Sequence, residues 1–177
     1  MLFLFGNMTG IIKCIISYNL DMKLRELLQQ MEMSRKLIHA SPTYICGGIP
    51  RDKYMKRLDH VEDIDITTGD KTIHALSQQF AILLNKKFNI TRKVMEDGHS
   101  TIFIGNLKID FSSNFNIPNI KNTLTNMNIN PTAMNQEIYS RDFTCNTLLL
   151  SLDLKNITDP THKGFKDIKN KKIVTCL

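Results

Sequence analysis

The feature that most constrains this fold is a glycine pair, Gly47-Gly48, which directly follows a short apolar segment at residues 43–46. The apolar segment is predicted to be a strand that enters a tight turn, and a helix is predicted over residues 51–58. Residues 63–67 then alternate between acidic or polar and apolar side chains, which is the period of a half-buried strand. Strand, turn, helix and strand together predict a mixed α/β (α+β) domain.

Periodicity predicts the elements on either side of this unit. Asp21 is placed to cap a helix that reaches about Ile38, and Asp70 to cap a helix with an apolar stripe. The stripe consists of Ile73, Leu76, Phe80, Leu83 and Leu84. Strands are predicted at 88–95, 101–104 and 107–111, and Gly105-Asn106 favours a hairpin between the last two.

The segment 114–135 is rich in Asn and Thr and contains Pro118 and Pro131. We interpret it as a mobile loop beside a site. A helix at about 136–148 and a strand at about 149–152 are predicted to close the domain.

Composition narrows the class of protein. The chain has 177 residues, 42% of them hydrophobic, which suffices for one globular domain with a real core. Lys and Arg (23) exceed Asp and Glu (17), giving a formal charge of +6 that suits a polyanionic partner. The four cysteines form no CxxC pair, and the histidines form no HExxH motif. We therefore predict free thiols in a reducing compartment, the cytoplasm, and no His- or Cys-based metal site.

The N-terminal stretch from Met1 to Tyr18 is the most apolar part of the chain. Polar residues and glycines interrupt it, so it falls short of the roughly 18–20 apolar residues that a membrane span requires. It also lacks the basic start and the cleavage site of a signal peptide. We interpret residues 1–20 as an N-terminal extension, a further strand or a packed arm, and expect no membrane association.

Three carboxylates are candidates for catalytic chemistry. Asp63 and Asp65 are two residues apart on a predicted strand, so both project from one face. Asp110 lies between Ile109 and Phe111 on the strand after the hairpin. Carboxylate oxygens suit Mg²⁺, and a two-metal site would support phosphoryl or nucleotidyl transfer. Taken singly, each feature also has a simpler interpretation. Asp63 and Asp65 fit an exposed acidic pair, Gly47-Gly48 a tight turn, and Asp110 an exposed strand position.

The combination is more specific. The run from Tyr44 to Asp52, followed by the run from Glu62 to Thr68, resembles the GGxxRD…DxDxxT signature of the polymerase-β-like nucleotidyltransferase superfamily. Residues 141–148, RDFTCNTL, are similar to the RRDFTxNAL motif of its class II tRNA nucleotidyltransferase (CCA-adding) and bacterial poly(A) polymerase family. Residues 157–171 resemble that family's "DP…G…DLKNK" segment. The three motifs are collinear.

The resemblance implies a polymerase-β-like head at residues 21–177, with a mostly antiparallel sheet of about five strands flanked by helices. It implies that Asp63 and Asp65 bind Mg²⁺, with Asp110 as the third catalytic carboxylate. The motifs also imply a nucleotide-binding set: Gly47, Gly48, Arg51, Asp52, Arg141, Asp142 and Asn146. Of these, the two glycines would hold the triphosphate, while the RDFTCN residues would favour ribose over deoxyribose.

The implied activity is attack of an RNA 3′-hydroxyl, in particular that of tRNA, on the α-phosphate of ATP or CTP with release of pyrophosphate.

The sequence departs from the family at three positions. Ser140 and Asn114 stand where arginines are usual, and Pro50 also differs. No EDxxR motif, which reads the base, occurs. Without the neck, body and tail domains, we expect a homodimer or partner chain to cover the neck surface. Alternatives are modification of another RNA or a protein, and a non-catalytic NTP- or RNA-binding relic.

Overall fold

The computed structural model describes residues 24–58, 61–115 and 117–177. Asp21 and the proposed N-terminal extension lie outside them. A first helix, α1, covers residues 24–37. The other helices are α2 (Gly48–Tyr54), α3 (Thr72–Leu84), α4 (Pro118–Asn126), α5 (Ala133–Tyr139) and α6 (Gly164–Lys169), with a 3₁₀ turn at Thr144–Asn146. The strands are β1 (Tyr44–Cys46), β2 (Asp63–Thr67), β3 (Thr91–Val94), β4 (Ser100–Ile104), β5 (Leu107–Phe111), β6 (Leu149–Ser151) and β7 (Ile157–Thr158).

The described strands form one sheet in the order β3-β4-β5-β2-β1-β6-β7. Only the central β2–β5 pair is parallel, and the other neighbours run antiparallel. The predicted mixed, mostly antiparallel sheet flanked by helices is therefore confirmed. It has seven strands rather than about five: six, including β3, correspond to segments predicted individually as strands, and the short β7 at one edge was not predicted.

The two faces of the sheet bury different clusters. Ile64 and Ile66 of β2 are fully buried in the larger core, which α1 and α3 cover. Asp63 and Asp65 project from the opposite face by the alternation of the strand. A register slip of one residue would bury both carboxylates and expose both isoleucines, so burial of the isoleucines fixes where the carboxylates point.

The segment 114–135 is not the mobile loop that we predicted. It contains α4, with Pro118 in its first turn, and the start of α5. Leu124 of α4 and Ile138 of α5 are buried in the second, smaller core, on the same side of the sheet as Cys46. This contact between two helices stabilises a segment whose Asn- and Thr-rich composition favours a loop.

The predicted helix at 136–148 was also wrong in its extent. Helix α5 ends at Tyr139, and the chain then turns through the 3₁₀ segment before entering β6. The helix predicted at 51–58 begins and ends earlier, as α2, because it starts directly after Gly47. Of the four cysteines, Cys46, Cys145 and Cys176 are free thiols, as predicted, and Cys14 lies outside the described residues.

No described helix combines the length and apolar character needed to cross a bilayer.

Candidate active site

Three carboxylates meet at the centre of the sheet. Parallel pairing of β2 with β5 sets Asp65 directly beside Asp110, and Asp63 lies two residues earlier on the same face. One oxygen from each carboxylate lies within 4.8 Å of the others. The structure thus brings together Asp63, Asp65 and Asp110, the three residues that the sequence singled out.

The electrostatics of this triad favour a bound cation. Burial raises the pKa of Asp65 above its ordinary value, and the neighbouring charge of Asp63 raises it further. Such a set of converging carboxylate oxygens matches the ligand preference of Mg²⁺, a hard cation. The donor set therefore fits a divalent metal, which Asp63, Asp65 and Asp110 would hold.

A lysine that the sequence analysis did not single out reaches into the triad. Lys108 lies opposite Asp63 in the β2–β5 register. Its ammonium donates to Asp110 Oδ2 and, at 3.3 Å, to Asp63 Oδ2. The hydrogen bond and charge of Asp110 raise the pKa of Lys108, so it remains a cation. Its ammonium thus neutralises part of the charge that a metal would neutralise.

We expect Lys108→Met to bind Mn²⁺ about 5- to 30-fold more tightly than the unaltered chain. The change removes a cation that competes for two ligand oxygens, and repulsion of a dication at about 4 Å amounts to roughly 2 kcal/mol even in water. Isothermal titration calorimetry with Mn²⁺ measures the difference. Lys121→Met, on the exposed side of α4, is the matched control and should leave the affinity unchanged. Equal affinities for all three proteins would refute the competition.

The glycine turn fits closely against the triad. Gly47 has φ +73°, the left-handed region that favours glycine. A Cβ at this position would fall well inside the van der Waals radius of Asp65 Oδ2. Gly47 is therefore required both by its backbone conformation and by the approach of the Asp65 carboxylate.

Arg51 connects the glycine turn to the RDFTCN segment. Its Nε donates to Asp52 Oδ1 at 2.9 Å, and its Nη1 donates to Asn146 Oδ1 at the same distance. Asn146 belongs to the 3₁₀ turn, 95 residues further along the chain. Two of the three segments that carry the resemblance thus contact each other through Arg51, while Asp142 is exposed at the surface.

Arg141 points into the protein, towards Glu137 and Cys46. Its Nη2 donates to Glu137 Oε1 and, at 3.0 Å, to the Sγ of Cys46. The other Glu137 oxygen accepts the backbone N–H of Asn114. The side chain of Glu137 is 1% exposed and that of Arg141 is 16% exposed. The pair is therefore a largely buried ion pair.

The thiol of Cys46 joins this pair to Asp65. Burial raises the pKa of Cys46 to about 12, so the thiol is protonated at neutral pH. It donates to the backbone carbonyl of Asp65 at 3.4 Å. Because Cys46 is neutral, Glu137 is the anion that balances Arg141. Arg141 in turn favours the ionised form of Asp65.

A cleft of about 350 Å³ opens beside the triad. It is lined by Gly48, Ile49, Asp52, Leu58, Val61, Glu62, Asp63 and Asp65. The glycine turn and two of the three carboxylates thus share one open cavity.

The sequence analysis missed Lys108 and Glu137 as members of this region. Both had a signal in their spacing. Lys108 is two residues before Asp110 and must share its strand face, and Glu137 is four residues before Arg141, the spacing of a helical ion pair.

Comparison with known proteins agrees with this geometry. The family model described as the poly A polymerase head domain matches residues 43–174, well over half of the chain. No curated protein sequence matches the chain.

Solved structures share the fold at low identity. A CCA-adding enzyme in complex with ATP aligns with TM-score 0.63 and 20% identity over 88% of this chain and 34% of its own. A tRNA nucleotidyltransferase complexed with a primer tRNA and an incoming ATP analogue aligns with TM-score 0.60 and 22% identity, over 84% of this chain and 39% of its own. This chain thus spans little more than a third of the proteins it resembles. The match of the family model nevertheless shows that the chain belongs to the poly A polymerase head domain family.

Proposed function

We propose that this chain transfers a nucleoside monophosphate from ATP or CTP to the 3′-hydroxyl of RNA, in particular of tRNA, and releases pyrophosphate. The observation that carries the proposal is the convergence of the Asp63, Asp65 and Asp110 carboxylates, two of which, Asp63 and Asp65, line one open cleft with Gly48 of the glycine turn. The fold neighbours include a CCA-adding enzyme in complex with ATP and a tRNA nucleotidyltransferase complexed with a primer tRNA, which supports both substrate classes.

The carboxylates and the glycine turn have separate proposed roles. Asp63, Asp65 and Asp110 would hold Mg²⁺, which when bound would lower the pKa of the attacking hydroxyl and neutralise the charge of the leaving pyrophosphate. The backbone at Gly47 and Gly48 lies close to the carboxylates and lets the triphosphate approach them. Arg51 and Asp52 fix the shape of this turn through the contact of Arg51 with Asn146.

The RDFTCN segment contributes in two ways. Asn146, held by Arg51, and the exposed Asp142 are proposed to face the ribose of the nucleotide. Arg141 is proposed to act from inside the protein. Its guanidinium is engaged by Glu137 and Cys46 and thereby supports the paired strands β1 and β2, of which β2 carries Asp65.

Extension of a defined RNA tests the proposal. The full chain is incubated with Mg²⁺, α-labelled ATP or CTP, and a tRNA that lacks its 3′-terminal CCA, and the products are resolved on a denaturing gel. We expect label on the tRNA, and none on a matched tRNA that ends in a 3′-deoxynucleotide. Label on protein, or no label at all, would refute the proposal and favour a different target or a non-catalytic module, respectively.

A further inference from the structure

A second cavity, of about 490 Å³, is lined largely by basic side chains. Three elements meet there: α1, the C-terminal end of α2 and the turn between β6 and β7. The cavity is lined by Leu24, Arg25, Lys53, Lys56, Leu58, Asp153, Leu154 and Lys155. Four of these residues are cations and one is an anion, so the cavity is strongly positive.

The positive charge of this basic cavity is available to a ligand. Among residues 24–58, 61–115 and 117–177, no ion pair or side-chain hydrogen bond involves the four cationic groups of the cavity. These groups are the ammonium groups of Lys53, Lys56 and Lys155 and the guanidinium of Arg25. The carboxylate of Asp153 is engaged by its own turn, where it accepts from Ser151 Oγ and from the N–H of Lys155. A polyanion is the ligand class that such a surface attracts.

The basic cavity adjoins the proposed active site. Leu58 lines both this cavity and the cleft that holds Asp63 and Asp65. Helix α2 connects them: Gly48, at its start, lines the cleft, and Lys53, near its end, lines the basic cavity. Seven helical residues at 1.5 Å each span about 10 Å. A strand whose 3′ end reaches the carboxylates therefore passes within reach of the lysines.

Lys56 occupies a backbone position where glycine is favoured. Lys56 has φ +57° and follows the C-cap of α2, Met55. The N–H of Arg57 donates to the carbonyl of Asp52, and the N–H of Lys56 donates to that of Lys53. This is the Schellman arrangement, in which the left-handed residue is usually glycine. Lys56→Gly therefore removes the charge without straining the backbone.

We propose that this basic cavity binds backbone phosphates of the RNA a few nucleotides upstream of its 3′ end. The proposal rests on the proposed function, because the RNA strand that the cavity holds is the one that the carboxylate site would extend. Phosphate contacts by lysines position a nucleic acid without reading its sequence, which fits a surface made of flexible ammonium groups.

Two glycine substitutions test the proposal against each other. Lys171 has φ +53° and follows helix α6 with the same pair of hydrogen bonds, from Lys172 N to Asp167 O and from Lys171 N to Ile168 O. Lys171 does not line the basic cavity. Lys56→Gly and Lys171→Gly therefore remove the same charge from the same backbone geometry, and both should keep or raise the melting temperature.

Binding is measured by fluorescence anisotropy with a 5′-labelled single-stranded RNA, without NTP or metal, over a series of salt concentrations. We expect Lys56→Gly to weaken binding at least about threefold and to reduce the salt slope by about one, while Lys171→Gly changes neither. Equal effects of the two variants, or no effect of Lys56→Gly, would overturn the proposal.

Two further comparisons complete the test. One distinguishes RNA phosphates from the triphosphate of free ATP, and the other distinguishes this proposal from the proposed function. Binding of free ATP should be the same for Lys56→Gly and the unaltered chain, and a parallel loss of ATP affinity would assign the cavity to the triphosphate instead. The anisotropy series needs no catalysis. Failure of RNA extension with retained, Lys56-dependent RNA binding would refute the proposed function alone, and the reverse result would refute the cavity alone.

Discussion

The double variant Asp63→Asn/Asp65→Asn is expected to lose nucleotide addition by at least about a thousandfold. Both substitutions keep the size of the side chain but remove two of the three anionic oxygen donors that converge within 4.8 Å. A bound metal contributes several kcal/mol of transition-state stabilisation, and about 4 kcal/mol corresponds to a factor of a thousand in rate. The rate of RNA extension with labelled ATP or CTP measures the loss.

The same variant should remain folded. Asp65 is destabilised in its charged form by burial and by the charge of Asp63, as the raised pKa of Asp65 indicates. Neutral amides remove this repulsion, so the melting temperature should hold or rise. Glu96→Gln/Asp97→Asn, in the exposed turn between β3 and β4, is the matched control and should keep full activity. Extension by the Asp63/Asp65 variant within tenfold of the unaltered chain would contradict the assignment of these carboxylates.

Alternation was the most informative sequence signal for the position of the site. The pattern of residues 63–67 predicted β2 with its bounds, and Gly105-Asn106 predicted the β4–β5 hairpin. Period-2 patterns predict well here because one face of each strand lies against a fully buried core, where a slip would bury carboxylates. Asp63 and Asp65 could therefore be placed on one face from the sequence.

Long-range pairing was the limit of that reasoning. Lys108 approaches Asp63 because β2 and β5 run parallel, and the two residues are 45 positions apart in the chain. Parallel pairing depends on a crossover connection, whose register no local pattern encodes. The sequence could indicate that Lys108 shares a strand face with Asp110. It could not indicate that Lys108 lies across from Asp63 on the neighbouring strand.

Helices α4 and α5 show a second limit. The sequence of α4 and of the first residues of α5 is rich in Asn and Thr, which have weak helix propensity, and we predicted a loop there. Burial of Leu124 against the region of Ile138 supplies the stabilisation that propensity does not. The predicted helix at 136–148 already placed Glu137 and Arg141 four residues apart, but the sequence did not indicate that this pair is buried or that Arg141 reaches Cys46.

The buried pair of Glu137 and Arg141 leads to the largest expected effect on stability. Glu137→Gln keeps the shape of the side chain but removes the hydrogen-bonded carboxylate that balances the buried Arg141, and the neutral thiol of Cys46 does not replace it. Removing one partner of a buried pair typically costs about 3–5 kcal/mol, and we expect the free energy of unfolding to fall by that amount. Urea denaturation followed by circular dichroism measures it.

A half-buried ion pair, more accessible to water than that of Glu137 and Arg141, provides the control. Glu32 and Arg35 are three residues apart on α1, with side chains 35% and 24% exposed, and Arg35 Nη2 lies 2.7 Å from Glu32 Oε1. Glu32→Gln should cost no more than about 1 kcal/mol, because water compensates the remaining charge. The double variant Glu137→Gln/Arg141→Met should recover part of the loss by removing the unpaired cation. A loss for Glu137→Gln as small as that for Glu32→Gln would show that Glu137 does not compensate Arg141, and would remove the buried pair as the support beneath Asp65.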